Sequence, residues 1–133
     1  AALKEAGAKR AIMLNVSAPF HSSLMEPAAQ KLKKVLDKIE IKDAEIPVIA
    51  NVNALAETKA ADIRTHLVEQ AAHAGRWEES VRNLIAGGMD TMVECGPGTV
   101  LSGFMRKIDK SIVSYHAENI ETIIETVQAL KGV

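Results

Sequence analysis

The sequence has few of the residues that cross-link, stack or anchor a protein. Its single cysteine, Cys95, excludes an internal disulfide framework and fits a reducing compartment such as the cytoplasm. Aromatic residues make up only 3% of the chain, and no basic block accompanies them, so platforms for stacking nucleic-acid bases are scarce. The apolar runs are far too short to span a bilayer. We therefore expect neither a nucleic-acid nor a membrane partner.

What is present is typical of a soluble globular protein. Hydrophobic residues make up 47% of the 133 positions, and 16 basic residues nearly balance 17 acidic ones. The opening segment Ala1–Gly7 has the pattern of the last turns of a helix, with Gly7 as its C-cap. It lacks an initiator methionine and a signal-peptide pattern, so we expect the C-terminal piece of a longer protein.

Apolar periodicity predicts alternating strands and helices along the chain. A capping-box pattern at Ser23 and Glu26 predicts the start of an amphipathic helix with a single buried stripe. Pro47 restricts one strand to an early or edge position. The alternation predicts an α/β fold with a largely parallel sheet. The predicted strands cover residues 11–16, 46–52, 91–95 and 111–115, and the predicted helices cover residues 28–39, 60–74, 77–86, 100–108 and 120–130.

The segment Asn15–Met25 carries the most informative single residue. It places His21 where an apolar strand ends and a helix is about to begin. An imidazole titrates near neutral pH, and a base held between two rigid elements can be aimed at a nucleophile. Taken alone, a histidine in this position is more often a helix-flanking residue that is satisfied by local hydrogen bonds.

Three other features are candidate sites, and each has a more ordinary interpretation. The turn Gly96–Thr99 offers backbone N–H groups to an anion, although a tight strand-to-helix turn is favoured. Cys95 is a conceivable nucleophile, although a buried inert thiol is the commoner outcome at the end of an apolar strand. His66, Glu69 and His73 have helical spacing for a metal site but no recognised ligand signature, so no metal is predicted. His116 has no partner that the sequence suggests.

Three separated motifs, taken together, resemble the malonyl-CoA:acyl carrier protein transacylase family. They are Val16–Pro27, Gln70–Trp77 and Glu94–Phe104, and the strand Pro47–Val52 matches the family between the first two. The resemblance runs over essentially the whole chain in the right order and spacing. It implies the C-terminal part of an α/β-hydrolase-like acyltransferase core. Residues 1–17 would be the last helix and strand of an inserted ferredoxin-like small subdomain, and residues 18–133 the C-terminal half of the large subdomain.

The resemblance also implies a mechanism and its residues. A serine takes the malonyl group from malonyl-CoA and passes it to the phosphopantetheine thiol of acyl carrier protein, in fatty acid biosynthesis and without a cofactor of the enzyme's own. His21 matches the catalytic base, and Gln70 matches the residue whose backbone carbonyl accepts a hydrogen bond from that base. Phe20 matches the malonyl-type pattern, in which a bulky ring narrows the pocket beside the acyl group.

Two departures from the family pattern qualify these expectations. Ala74 and Gly75 occupy positions where the family usually has a proline and an apolar residue. The nucleophilic serine, the oxyanion-hole donors and the arginine that pairs with the malonyl carboxylate are absent, and Ser17, Ser22 and Ser23 do not lie in a nucleophile elbow. The resemblance therefore implies that this stretch is inactive without the family's N-terminal portion. A non-catalytic α/β binding module and the acyltransferase domain of a polyketide synthase remain alternatives.

Overall fold

A computed structural model describes residues 2–12 and 15–132, and it confirms the mixed α/β character. Within those ranges, no helix is both long and apolar enough to cross a membrane. A single 3₁₀ turn, Ser23–Met25, precedes the second helix. The elements in chain order are α1 (Ala2–Glu5), α2 (Glu26–Leu36), β1 (Val48–Ile49), β2 (Ala56–Glu57), α3 (Ala60–Glu69), α4 (Trp77–Ala86), β3 (Thr91–Cys95), α5 (Val100–Ile108), β4 (Val113–Ala117) and α6 (Ile120–Lys131).

The strands form two separate pairs. Strands β3 and β4 are parallel, with Thr91 opposite Val113 and Cys95 opposite Ala117, and α5 is the crossover between them. Strands β1 and β2 are antiparallel. The prediction of a largely parallel sheet is therefore wrong for this pair. The connection from Ile49 to Ala56 is far too short for the helical crossover that parallel strands need, so the chain folds back as a hairpin.

The core is small and centres on the packing of α4 against α5. Val81 of α4 and Met105 of α5 are the largest fully buried side chains, and α5 and α6 both pack against β4. On α2, Ala29 is buried, but the predicted apolar stripe is otherwise largely exposed. The apolar face of α6 is exposed throughout, at Ile120, Ile123, Ile124, Val127 and Leu130.

Several element ends differ from the predicted ones. The predicted strand over residues 11–16 falls partly on residues 13 and 14, which lie outside the described ranges, and the described residues on either side have no regular secondary structure. The capping box predicted at Ser23 is wrong. Ser23 lies in the 3₁₀ turn, and α2 begins at Glu26 without a side-chain cap. A capping box is present instead at α6, where Asn119 Oδ1 accepts from the Thr122 amide and Thr122 Oγ1 accepts from the Asn119 amide.

Candidate active site

His21 lies in the tight turn that leads into the 3₁₀ segment before α2. Its backbone φ is +57°, which places it in the left-handed region. A side chain other than glycine costs about 1–2 kcal/mol in this conformation. The next residue stabilises the turn, because the Ser22 hydroxyl donates a 2.7 Å hydrogen bond to the Pro19 carbonyl. The turn presents the His21 side chain at the protein surface.

The imidazole of His21 is oriented by a distant part of the chain. Its Nδ1 lies 3.0 Å from the backbone carbonyl oxygen of His73. A carbonyl only accepts hydrogen bonds, so Nδ1 must carry the proton and donate. The proton on Nδ1 leaves Nε2 of the neutral ring with a free lone pair. This is the tautomer that a general base requires.

The acceptor carbonyl belongs to His73 and not to Gln70, which is the residue that the family resemblance implies. Gln70 is the C-cap of α3, and its own amide still donates to the His66 carbonyl. The next residues continue to wind, because the amides of Ala72 and His73 both donate to the Glu69 carbonyl. At His73 the chain leaves this turn, and its carbonyl is free to point towards His21.

Two sets of contacts fix the segment that carries this carbonyl. The His73 ring donates from Nδ1 to the Glu69 carbonyl at 2.7 Å, which holds His73 against the end of α3. Beyond it, the Arg76 amide donates to the Asn51 carbonyl at 2.8 Å, and the Arg76 guanidinium forms a two-bond ion pair with Glu79. Residues 73–76 are therefore tied at one end to α3 and at the other to the loop after β1.

The remaining family-matched residues lie near this arrangement without joining it. Phe20 precedes His21 and is 56% exposed, so its ring is available to a ligand or to another protein surface. Gln70 lines a small cavity of about 120 Å³ between the β1–β2 hairpin and α3, together with Asn51, Glu57 and His66. The roles of His21 and Phe20 remain predictions from the family resemblance.

The three residues considered for a metal site are directed to different partners. His66 Nδ1 contacts the largely buried carboxylate of Glu57, and Asn53 Nδ2 lies 3.3 Å from its Nε2. The His73 ring is engaged with the Glu69 carbonyl instead. Across the described ranges there is no cluster of three side chains able to hold a metal ion.

The helix N-terminus after Gly96–Thr99 is occupied by a side chain of the protein itself. The Glu94 carboxylate accepts from the amides of Leu101 and Ser102, at 3.0 and 2.8 Å, and from the Ser102 hydroxyl at 2.7 Å. Burial would raise the pKa of Glu94, but these hydrogen bonds, with the nearby His116, hold its pKa below the ordinary value. The Glu94 carboxylate thus occupies the amides at the N-terminus of α5 that an external anion would need. The segment Gly96–Thr99 is therefore a structural turn between β3 and α5, as favoured from the sequence.

Cys95, by contrast, does not match its expected environment. The sequence predicts a buried thiol, but the side chain is exposed at the end of β3. Strand alternation explains the difference, since Glu94 takes the buried side of the strand and the next residue must face the other way.

Several known proteins are similar to this chain. No family model matches the chain. The malonyl CoA-acyl carrier protein transacylase of Bacillus subtilis is 52% identical over 128 residues, which is 96% of this chain and 40% of that protein. The crystal structure of the acyl-carrier-protein S-malonyltransferase of Burkholderia pseudomallei superimposes with a TM-score of 0.87 at 40% identity, covering 94% of this chain and 41% of that one.

A third similar structure contains a carrier protein. It is a malonyl-transacylase in complex with a type II polyketide synthase acyl-carrier protein, with a TM-score of 0.88 and 39% identity over 99% of this chain and 42% of that chain. The present chain therefore has the fold of one part of an α/β acyltransferase. It is homologous, over nearly all of its length, to the malonyl CoA-acyl carrier protein transacylases, and it spans about two fifths of the length of these relatives.

Proposed function

We propose that this chain supplies the general base for malonyl transfer from malonyl-CoA to the phosphopantetheine thiol of acyl carrier protein. The observation that carries the proposal is the orientation of His21, whose Nδ1 donates to a backbone carbonyl and whose Nε2 makes no hydrogen bond to the part of the chain that the structure describes. The homologous transacylases support the choice of reaction, since their names specify malonyl-CoA and acyl carrier protein. The nucleophilic serine would come from the part of the relatives that this chain does not cover.

In the first half-reaction, that serine attacks the thioester carbonyl of malonyl-CoA. Nε2 of His21 takes the proton from the serine oxygen as the new C–O bond forms. The C–S bond then breaks, and the imidazolium returns the proton to the departing CoA thiolate. The His73 carbonyl keeps the ring in one orientation through both transfers, because Nδ1 remains protonated throughout.

In the second half-reaction, the phosphopantetheine thiol of the carrier protein attacks the malonyl-serine ester. His21 accepts the thiol proton and passes it to the serine oxygen as the ester C–O bond breaks. The exposed ring of Phe20 beside His21 would narrow the space next to the acyl group. Neither half-reaction calls for a metal or a cofactor of the enzyme, and the cytoplasm is the compartment that we propose for it.

A chimera tests the role of His21 directly. The chain replaces its matching part in the Bacillus subtilis relative, and malonyl transfer to holo-acyl carrier protein is measured. We expect an active chimera in which His21→Ala lowers turnover by about 10²–10⁴-fold, the usual contribution of a general base. Lys31→Ala, an exposed change on α2, serves as the control and should retain normal turnover.

Intact-protein mass spectrometry of the same chimera adds a second readout. A malonyl adduct should form on the Bacillus subtilis part and be lost in the His21→Ala variant. Near-normal transfer by that variant, or an adduct on a residue of this chain, would contradict the proposed mechanism.

A further inference from the structure

A second polar cavity, of about 240 Å³, lies between α5 and β4. It shares no residue with the surroundings of His21. Its helical wall has the three- and four-residue spacing of a single helix face, and its strand wall consists of three consecutive residues of β4. The helical wall is formed by Thr99, Ser102, Gly103 and Arg106, and the strand wall by Ser114, Tyr115 and His116.

The cation of this cavity has no carboxylate partner. Arg106 takes part in no ion pair among the residues that the structure describes, whereas Arg76 and Arg82 each pair with a glutamate on α4. A guanidinium group carries five N–H donors and no acceptor. Arg106 thus brings an unneutralised charge and free donors to one wall.

The opposite wall contains a buried hydroxyl without a partner. Ser114 Oγ is fully shielded from solvent, and no hydrogen-bond partner for it exists in the described parts of the chain. Buried polar groups are nearly always hydrogen-bonded, so an orphaned hydroxyl needs an explanation. The other serine, Ser102, is already committed, because its hydroxyl donates to Glu94.

The negative charge near the cavity is already compensated. Glu94 lies opposite His116 in the β3–β4 register, but its carboxylate accepts the two amides at the start of α5 and the Ser102 hydroxyl. Two groups of the cavity that have no partner among the described residues, the Arg106 guanidinium and the buried Ser114 hydroxyl, can both donate hydrogen bonds. Such a pair of walls suits a ligand that carries negative charge and several acceptor oxygens.

We propose that the α5–β4 cavity binds a phosphate-type oxyanion, either inorganic phosphate or the phosphate monoester of a larger molecule. Arg106 would bind two of the anion's oxygens through its planar fork, and Ser114 would donate to a third. The proposal is independent of acyl transfer, since it involves neither His21 nor any acyl group.

Isothermal titration calorimetry of the full 133-residue chain with inorganic phosphate, at low ionic strength, tests the proposal. We expect saturable binding at one site per chain. Arg106→Gln should weaken that binding at least tenfold, and Ser114→Ala should weaken it severalfold while the circular dichroism spectrum is retained. Lys107→Gln is the matched control. It removes the same charge from the next residue of α5, whose ammonium lies over the Phe104 ring, and it should leave the affinity unchanged.

The outcomes separate the possible sources of the anion. Tighter binding of adenosine 3′-phosphate than of inorganic phosphate would identify a larger phosphorylated ligand, whereas equal or weaker binding would identify the free anion. Absence of saturable phosphate binding at millimolar concentration overturns the proposal. Equal weakening by Arg106→Gln and Lys107→Gln would also overturn it, because that result indicates only general charge attraction.

Discussion

The imidazole of His21 takes its orientation from a peptide carbonyl and not from a carboxylate side chain. The hydrogen bond from Nδ1 to the His73 carbonyl selects the tautomer and adds no charge to the site. The left-handed backbone of His21 shows that the turn is held in place by its surroundings, because this conformation is unfavourable for a residue with a Cβ.

The ionised carboxylate of Glu94 contributes to folding near the start of α5. Its pKa in the folded protein is lowered, so its contribution to stability is present at neutral pH and lost as the pH falls through the folded-state pKa, below the ordinary value of 4.5. We expect Glu94→Gln to lower the Tm by several degrees at pH 7. The Tm difference from the parent chain should shrink steadily as the pH falls below 4.5.

Thermal unfolding followed by circular dichroism at pH 7 and at more acidic pH checks this expectation. Glu125→Gln, an exposed substitution on α6, controls for the general loss of one negative charge. A Tm difference for Glu94→Gln that is the same at every pH would show that shape, and not ionisation, accounts for the contribution of Glu94.

The sequence motifs indicated His21 as the candidate base, but they did not identify the atoms that orient its ring. The position of His21 follows from the pattern around residues 16–27, which is local. The choice of His73 over Gln70 depends on how far the chain winds beyond α3, and the segment that follows is anchored by the hydrogen bond from the Arg76 amide to the distant Asn51 carbonyl. No local pattern contains that information. Likewise, the capping role of Glu94 requires β3 and α5 to meet across a turn.

At the scale of elements, the ends that glycines mark in the sequence were predictable, and the ends that depend on contacts in the folded structure were not. Strand β3 and helix α5 have the predicted bounds because glycines mark the turns on either side of β3. Strand β4 begins at Val113 and not at Ser111, because Asp109 accepts hydrogen bonds from both the Ser111 amide and hydroxyl and extends the preceding loop. Strand β1, which pairs antiparallel with β2, comprises only Val48 and Ile49 of the strand predicted over residues 46–52.

Two glycines provide a matched test of the turn between β3 and α5. Gly98 has φ +81°, whereas Gly75 lies outside the left-handed region, and a Cβ added to either would meet nothing within 4 Å. We expect Gly98→Ala to reduce the free energy of unfolding by about 1–2 kcal/mol through backbone strain alone. Gly75→Ala should be neutral or slightly stabilising, because it reduces the entropy of the unfolded chain.

Urea denaturation of both variants measures these two free energies. If Gly98→Ala is as stable as Gly75→Ala, the left-handed conformation at position 98 is not required for the turn.

At the scale of the whole molecule, the chain leaves much apolar surface uncovered. Besides the face of α6, the exposed apolar side chains include Leu24, Val35 and Phe104. Apolar patches of this kind mark contacts with other protein surfaces. The homologous transacylases contain about three fifths of their length that this chain does not match, and we propose that the corresponding part covers these faces. The assignment of residues 1–17 and 18–133 to two subdomains remains a prediction.

A hydrophobic dye can test whether these faces are covered in the larger protein. We expect strong fluorescence enhancement of 8-anilinonaphthalene-1-sulfonate with the 133-residue chain and a markedly weaker signal, per molecule, with the chimera. Ile124→Gln on α6 should lower the signal of the chain and hardly change that of the chimera. Equal signals from chain and chimera would show that the complementary part does not cover these faces.

The dependence of His21 on a main-chain oxygen has a consequence for how this site varies among sequences. Residues 70–76 form a path of fixed length from the end of α3 back to Asn51. The hydrogen bonds that position it, from His21 to the His73 carbonyl and from the Arg76 amide to the Asn51 carbonyl, use backbone atoms of this segment. Ala74 and Gly75 stand where the family usually has a proline and an apolar residue. They are compatible with this path, and the Arg76 amide anchors its end. Substitutions here are therefore expected to be silent far more often than the loss or gain of one residue, which would move the carbonyl away from the imidazole.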